Sequence, residues 1–406
     1  MSARGGFGSV GDRSGNHEGD MRLILTAAAI AGLLLAVTPA TAQYAPFYAA
    51  TPAELAAGTP GSLIRTEDLS GAPSESKAYR VLYRSTGLSA EPIAVSGVVV
   101  VPDARQPDGA VIAWAHPTTG VADKCAPSLR DDVLGTIPGL DDMLKRGFVV
   151  TATDYPGLGT AGEHPYLVGI SEARGVLDSV RAARALSGAG AVFAAWGHSQ
   201  GGHAVLWTGQ LAAEYAPDLK LAGVAAAAPA SLLAQLFEDD LGTTAGKGLT
   251  ALTLWSWSLI YDVPLDTIVL PRAMKAVADI GAECLAGFSD MIVDIGAMSQ
   301  IEKGGFLSGP PDKTKPWAEI ITTNTPGQMA AGAPVFIAQG SGDTVVDPQV
   351  TTAFATELCR RGTAVRFFEV PDATHAMIAK ASATAAVEWM AARFAGEPAP
   401  TNCIKD

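Results

Sequence analysis

Positive charge is what this chain has least of. Lys and Arg number 28 against 41 Asp and Glu, a formal net charge of -13, which opposes broad contact with phosphate backbones or anionic lipid headgroups. Nucleic acid is thereby excluded as a partner. There are four cysteines and six histidines. Neither C-x-x-C nor H-E-x-x-H spacing occurs among them, so a zinc site has no basis, and neither metal nor cofactor is expected. After residue 42 no apolar run reaches the roughly 20 residues that a membrane span requires. No repeat with a period of about 20 to 50 residues is present, which excludes solenoids and propellers. Disorder is excluded by the rest of the composition: 48% of the 406 residues are hydrophobic and 17% charged, enough to build a sizeable core.

The N-terminus sets the compartment. Met21-Arg22 is followed by the apolar run Leu23 to Val37 and then Ala40-Thr41-Ala42, the order of a basic start, an apolar h-region and an A-x-A cleavage site. The run holds 15 residues, too few for a membrane anchor. Residues 1–42 therefore read as an N-terminal extension with an export signal, and residues 43–406 as the mature chain. Cys125, Cys284, Cys359 and Cys403 all lie in the mature part. An even number in an exported protein suggests up to two disulfides, with three possible connectivities.

From Tyr79 onward, short β-branched runs alternate with longer Ala/Leu segments. The runs are Ile93 to Val101, Ala110 to Ala115, Phe148 to Thr153, Ala191 to Trp196, Leu221 to Ala227, Val335 to Ala338 and Val365 to Val370. Strands this apolar are buried on both faces, and alternation with amphipathic stretches such as Ser171 to Leu186 and Ala376 to Phe394 predicts an α/β fold with a mainly parallel sheet. Tyr79 to Ser85 and Ile93 to Val101 have no helix between them and are expected to form an antiparallel edge. Ser231 to Thr325 contains no clean strand and concentrates Leu, Met and Trp. It reads as a helical insertion, residues 231–325, dividing an α/β core into residues 43–230 and 326–406.

Gly197-His198-Ser199-Gln200-Gly201 matches G-x-S-x-G. The pentapeptide is weak alone, but a strand runs into it and Gly202 with an Ala/Leu helix runs out, the context of a nucleophile elbow. A serine hydroxyl needs a base. His17 lies in the excluded extension, His116 and His164 precede the serine in a fold whose order is Ser, acid, His, and His198 and His203 are too close in sequence. His375 is left, in the loop after the strand ending at Val370. A carboxylate must orient the imidazole, and Asp343 and Asp347 both follow the strand ending at Ala338. Asp347 precedes Pro348 and suits a helix N-cap, leaving Asp343. Oxyanion donors are expected from the backbone N–H of Gln200 and from the loop His116-Pro117-Thr118-Thr119-Gly120, with Thr118 first and Thr119 next, since Pro117 cannot donate. His116 is expected to brace that loop. Gly157-Leu158-Gly159-Thr160-Ala161-Gly162 fits G-x-G-x-x-G, but Glu163-His164-Pro165 is a poor helix start, so no dinucleotide site is expected.

Taken together, these residues resemble the α/β-hydrolase superfamily and, within it, the secretory lipase family. The resemblance covers most of the mature chain. It rests on Tyr83-Arg84-Ser85-Thr86, Val95-Ser96-Gly97, Ala115-His116-Pro117-Thr118-Thr119-Gly120 leading to Cys125-Ala126-Pro127-Ser128, Asp154-Tyr155-Pro156-Gly157-Leu158-Gly159, the Ser199 elbow, and the Asp343 and His375 loops. One departure is Pro117, where the family more often has Gly. The resemblance implies a triad of Ser199, Asp343 and His375, a helical cap corresponding to the insertion, and disulfides joining Cys125 to Cys284 and Cys359 to Cys403.

The function expected is an exported serine carboxylic-ester hydrolase acting on ester or lipid small molecules. A peptidase or amidase with the same triad is the alternative, and a binding protein that kept the fold without the chemistry is a third reading. A peptidase would want a carboxylate cluster for a substrate amine. Glu238, Asp239 and Asp240 form such a run, whose ordinary role is surface solvation.

Overall fold

The computed structural model describes residues 46–105, 109–285, 299, 301–302 and 305–403. The export signal expected within residues 1–42 lies outside them. Nine strands form one sheet: β1 (Leu63–Leu69), β2 (Ser76–Thr86), β3 (Pro92–Pro102), β4 (Val111–Ala115), β5 (Val149–Thr153), β6 (Val192–His198), β7 (Lys220–Ala227), β8 (Val335–Gly340) and β9 (Val365–Val370). Their order is β1-β2-β3-β5-β4-β6-β7-β8-β9. The pairs from β5 through β9 are parallel, while β1, β2, β3 and the β3–β5 junction are antiparallel.

Every residue of β4 and β5 is buried, as expected of strands covered on both sides. The period of two sends Val111, Ala113 and Ala115 to one face and Ile112 and Trp114 to the other, and the two sets join separate apolar clusters. Ten helices fall among the described residues: α1 (Pro52–Ala56), α2 (Leu140–Lys145), α3 (Gly169–Ser187), α4 (Gln200–Tyr215), α5 (Leu233–Asp240), α6 (Thr244–Tyr261), α7 (Met274–Ala282), α8 (Trp317–Asn324), α9 (Pro348–Arg360) and α10 (His375–Phe394). Val176 and Leu177 of α3, Val205 of α4 and Phe354 of α9 cover the Ala113 face. Met143 of α2 and Val387 and Met390 of α10 cover the Trp114 face.

Two features differ from the sequence reading. The sheet edge is β1, one strand beyond the expected pair; its Thr66, Glu67 and Asp68 are exposed and give it no apolar signature. His375 is the first residue of α10 and not part of the preceding loop, a difference of the size expected at a helix end. Between β7 and β8 the regular elements described are helices, α5 to α8, with Trp257 and Trp317 fully buried. Gln43–Asp406 groups as one compact unit, so this helical stretch packs as part of the same body.

Candidate active site

The strand order reverses at β4, whose neighbours β5 and β6 lead away in opposite directions. A crevice at the carboxyl ends of the strands is expected at that point, and Thr118 follows β4 while Ser199 follows β6 there.

Ser199 sits between β6 and α4 at φ 56 and ψ -116, a backbone conformation that costs energy for a side chain bearing Cβ. The glycines around it make the turn possible. A Cβ on Gly197 would lie 2.1 Å from the Gly201 carbonyl oxygen, one on Gly201 would lie 1.9 Å from that of Ala115, and one on Gly202 would lie 2.7 Å from Pro229 Cα. Only hydrogen fits at these three positions.

His375 is 176 residues from Ser199 in sequence, yet its Nε2 is 2.9 Å from Ser199 Oγ, and its Nδ1 is 2.8 Å from Asp343 Oδ2. A carboxylate only accepts hydrogen bonds, so Nδ1 carries the proton and Nε2 is left to accept from the serine hydroxyl. Asp343 also accepts from the N–H groups of Val345 (2.8 Å) and Val346 (2.9 Å) and from Gln339 Nε2 (3.2 Å). All three side chains are buried. Asp347 accepts from the N–H of Gln349 at 2.7 Å and caps α9, with Pro348 in its first turn.

Gln200 begins α4, where backbone N–H groups have no intrahelical acceptor. Its side-chain amide donates to Glu172 Oε1 (2.8 Å) and to His164 Nε2 (3.0 Å). His164 in turn donates from Nδ1 to the Pro156 carbonyl at 2.8 Å. Glu172 also accepts from the Leu167 N–H and faces His203 Nδ1 at 2.7 Å. Thr118 is buried, and its hydroxyl is 2.8 Å from the Tyr166 hydroxyl. The loop carrying Thr118 is held from the far side too: the Thr119 carbonyl accepts from the Leu285 N–H at 2.9 Å, Gly120 bridges Cys284, and Cys125 is disulfide-bonded to Cys284. A second disulfide joins Cys359 to Cys403.

His116 braces its loop, with ring nitrogens 2.7 Å from the Pro117 carbonyl and 3.3 Å from that of Asp154. Burial pushes its pKa down to about 4, and that of His164 to about 3, so both rings are neutral. His198 packs against the His375 ring with centroids 4.8 Å apart, and burial together with that neighbour holds its pKa well below the ordinary range. The Gly157 to Gly162 segment stays in turns, and no helix begins before Gly169.

A narrow cavity of about 40 Å³ reaches Ser199 and Gln200, room for a few waters. Leu233, Leu236, Phe237, Leu249 and Val346 make it apolar, and Tyr166 and Asp240 also line it. Within the acidic run considered above, Glu238 is exposed as expected, whereas Asp240 is half-buried and also lines the cavity. The sequence reading also missed Tyr166 and Glu172. Helical spacing from Leu233, Leu236 and Phe237 to Asp240 could have placed that carboxylate on the apolar side of α5; nothing local marks the other two.

The sheet, its switch point and a serine lifted on a strand-to-helix turn define an α/β-hydrolase. Solved structures agree on the fold: Candida antarctica lipase A in its closed state superposes with a TM-score of 0.74 at 19% identity, covering 88% of this chain and 87% of that one. The rice cell wall degrading esterase LipA from Xanthomonas oryzae superposes with a TM-score of 0.66 at 20% identity, covering 83% and 98%. The chain belongs to the secretory lipase family, whose model matches residues 138–402. Lipase 6 of Candida albicans is 28% identical over 391 residues, 88% of this chain and 82% of that protein. A protein of Mycobacterium tuberculosis described as a probable inactive lipase is 27% identical over 379 residues, 87% and 82% of the two chains. Family and relatives support a hydrolase of the lipase and esterase kind. Among the described residues no helix is long and apolar enough to cross a membrane.

Proposed function

We propose that this protein is an exported carboxylic-ester hydrolase that works through an acyl-enzyme on Ser199. The observation that carries the reading is the unbroken hydrogen-bond chain from Asp343 through His375 to Ser199, ending at the cavity. His375 Nε2 takes the hydroxyl proton as Ser199 Oγ attacks the ester carbonyl, and Asp343 stabilises the imidazolium that forms. The N–H groups of Gln200 and Thr118 receive the developing oxyanion. His375 then returns the proton to the leaving alcohol, and water repeats the cycle on the acyl-enzyme. No metal or cofactor enters this scheme.

Residues 231–325 act as the cap in this reading: α5 and α6 supply Leu233, Leu236, Phe237, Leu249 and Thr253 to the cavity, whose apolar lining suits an acyl or aryl group. Export is supported by the family, by the leader pattern of residues 21–42 and by two disulfides. A relative described as a probable inactive lipase makes loss of chemistry the reading to test against, and the hydrogen bonds that join Asp343, His375 and Ser199 favour activity.

The experiment is the initial hydrolysis rate of p-nitrophenyl esters from acetyl to palmitoyl, beside Ser199→Ala and matched anilides. Ester turnover lost in the variant, with anilides turned over slowly, is the expected result. Undiminished turnover by Ser199→Ala overturns the reading, and preference for the anilides replaces esterase with amidase.

A further inference from the structure

His203, set aside in sequence as a base for Ser199, is fully buried in the first turn of α4. Both of its ring nitrogens face acceptors: Nδ1 lies 2.7 Å from Glu172 Oε2, and Nε2 lies 2.8 Å from the Asn324 carbonyl. A carbonyl oxygen only accepts, so Nε2 carries hydrogen. Glu172 is equally buried, and its other oxygen accepts from the Gln200 side-chain amide at 2.8 Å and from the Leu167 N–H at 3.0 Å. Two such donors favour the carboxylate form, so Nδ1 carries hydrogen as well and the ring is an imidazolium. A buried carboxylate needs a countercharge, and among the described residues Glu172 finds it in His203. The other ionisable rings of this region, His164, Tyr155 and Tyr166, are kept neutral by burial.

Three parts of the molecule meet on this pair. Gln200 carries one of the proposed oxyanion donors, Leu167 lines the cavity that reaches Ser199, and Asn324 is the last residue of α8 in the helical insertion. The last carbonyls of a helix lack intrahelical donors and gather partial negative charge, which an imidazolium offsets. Asn324 is anchored further: its carbonyl also accepts from Trp207 Nε1 at 3.0 Å, its side chain accepts from the Gly169 N–H at 3.2 Å, and its amide donates to the Tyr261 hydroxyl at 2.8 Å. The end of the insertion is thus bound to α3 and α4 at the point where Glu172 holds Gln200.

We propose that His203 is a positioning residue whose imidazolium, acting through Glu172, ties the Gln200 oxyanion donor to the end of cap helix α8. It touches no reacting atom. The proposal rests on the esterase reading of Ser199. Without the charge on His203, Glu172 is left as an unpaired buried carboxylate that no longer holds the Gln200 side chain in one place.

The test has a spectroscopic arm and a kinetic one. In wild-type protein carrying nitrogen-15 histidine, the ring signal that disappears in His203→Gln is expected to show hydrogen on both nitrogens at mildly alkaline pH; a ring with hydrogen on one nitrogen only overturns the proposal without need of any active variant. For the kinetics, His203→Gln and His203→Asn are compared with wild type on one ester after circular dichroism shows that each folds. His203→Gln, whose amide reaches toward Asn324 but not Glu172, is expected to lower kcat by about 10-fold or more with KM little changed. His203→Asn, whose shorter amide can still donate to Glu172, recovers most of that loss. Combined with Glu172→Gln, His203→Gln is expected to cost no more than Glu172→Gln alone, since both act through one carboxylate. Equal losses in the two His203 variants, or losses that add to that of Glu172→Gln, mean a merely structural role and overturn the proposal while leaving the esterase reading intact. If wild type hydrolyses no ester and a serine-reactive phosphonate leaves Ser199 unlabelled, the underlying reading fails and the proposal with it.

Discussion

The hydroxyls of Tyr166 and Thr118 stand 2.8 Å apart, both buried, 48 residues apart in sequence. Tyr166 thereby fixes the loop whose N–H is assigned to the oxyanion, while Glu172, six positions on, holds Gln200, the source of the other donor. One short segment positions both of the proposed oxyanion donors.

Tyr166→Phe and Glu172→Gln are expected to lower kcat by about 10- to 100-fold with KM little changed, because the interaction at stake develops only in the transition state. Steady-state kinetics on one ester checks this. Equal loss in KM and kcat, or none in either, would remove the positioning role.

Gly201→Ala is expected to abolish activity and to destabilise the fold by about 3 kcal/mol or more, since its Cβ would fall 1.9 Å from the Ala115 carbonyl oxygen of β4. Backbone atoms on both sides leave no flexible side chain to move aside. Denaturant unfolding and ester turnover measure the two effects.

Much of this was legible in the sequence. The β-branched runs announced seven strands because strands buried on both faces need no polar residue, Tyr79 to Ser85 marked an eighth, and Pro348 separated Asp347 from Asp343 by giving the former a helix to cap. β1 escaped because half of it faces solvent, and Tyr166 and Glu172 escaped because their partners lie 48 and 28 residues away. The proposed triad can be read from chain order and turn chemistry; the groups that hold it in place are set by tertiary packing.

Removing the Cys125–Cys284 disulfide by paired alanines is expected to cost about 1 kcal/mol more than removing Cys359–Cys403, since the loops they close span 159 and 44 residues. Only the first should also depress kcat, because Cys284 and Leu285 hold Thr119 and Gly120 beside the proposed oxyanion donor. Thermal melts and turnover of the two double variants separate the effects.

Acid should destabilise the protein through its buried neutral histidines. His164 has an ordinary pKa of 6.5 and a folded value of about 3, so between these the unfolded chain binds a proton that the folded chain refuses. Its contribution is intact above pH 6.5 and is lost as the pH falls toward 3. This residue alone accounts for about 3 kcal/mol between pH 6.5 and pH 4. His164→Gln, which can still accept from Gln200 and donate to the Pro156 carbonyl, is expected to flatten the pH dependence of unfolding free energy by that amount. An unchanged slope would contradict the assignment of a neutral ring.

The central claim is that Ser199 is the nucleophile. Treatment of the wild-type protein with a serine-reactive phosphonate, followed by peptide mass mapping and residual ester turnover, tests it directly. One label per chain is expected, on Ser199, with activity lost in proportion and no labelling of Ser199→Ala. Turnover that survives full labelling of Ser199, or inactivation with the label on another residue, would contradict it.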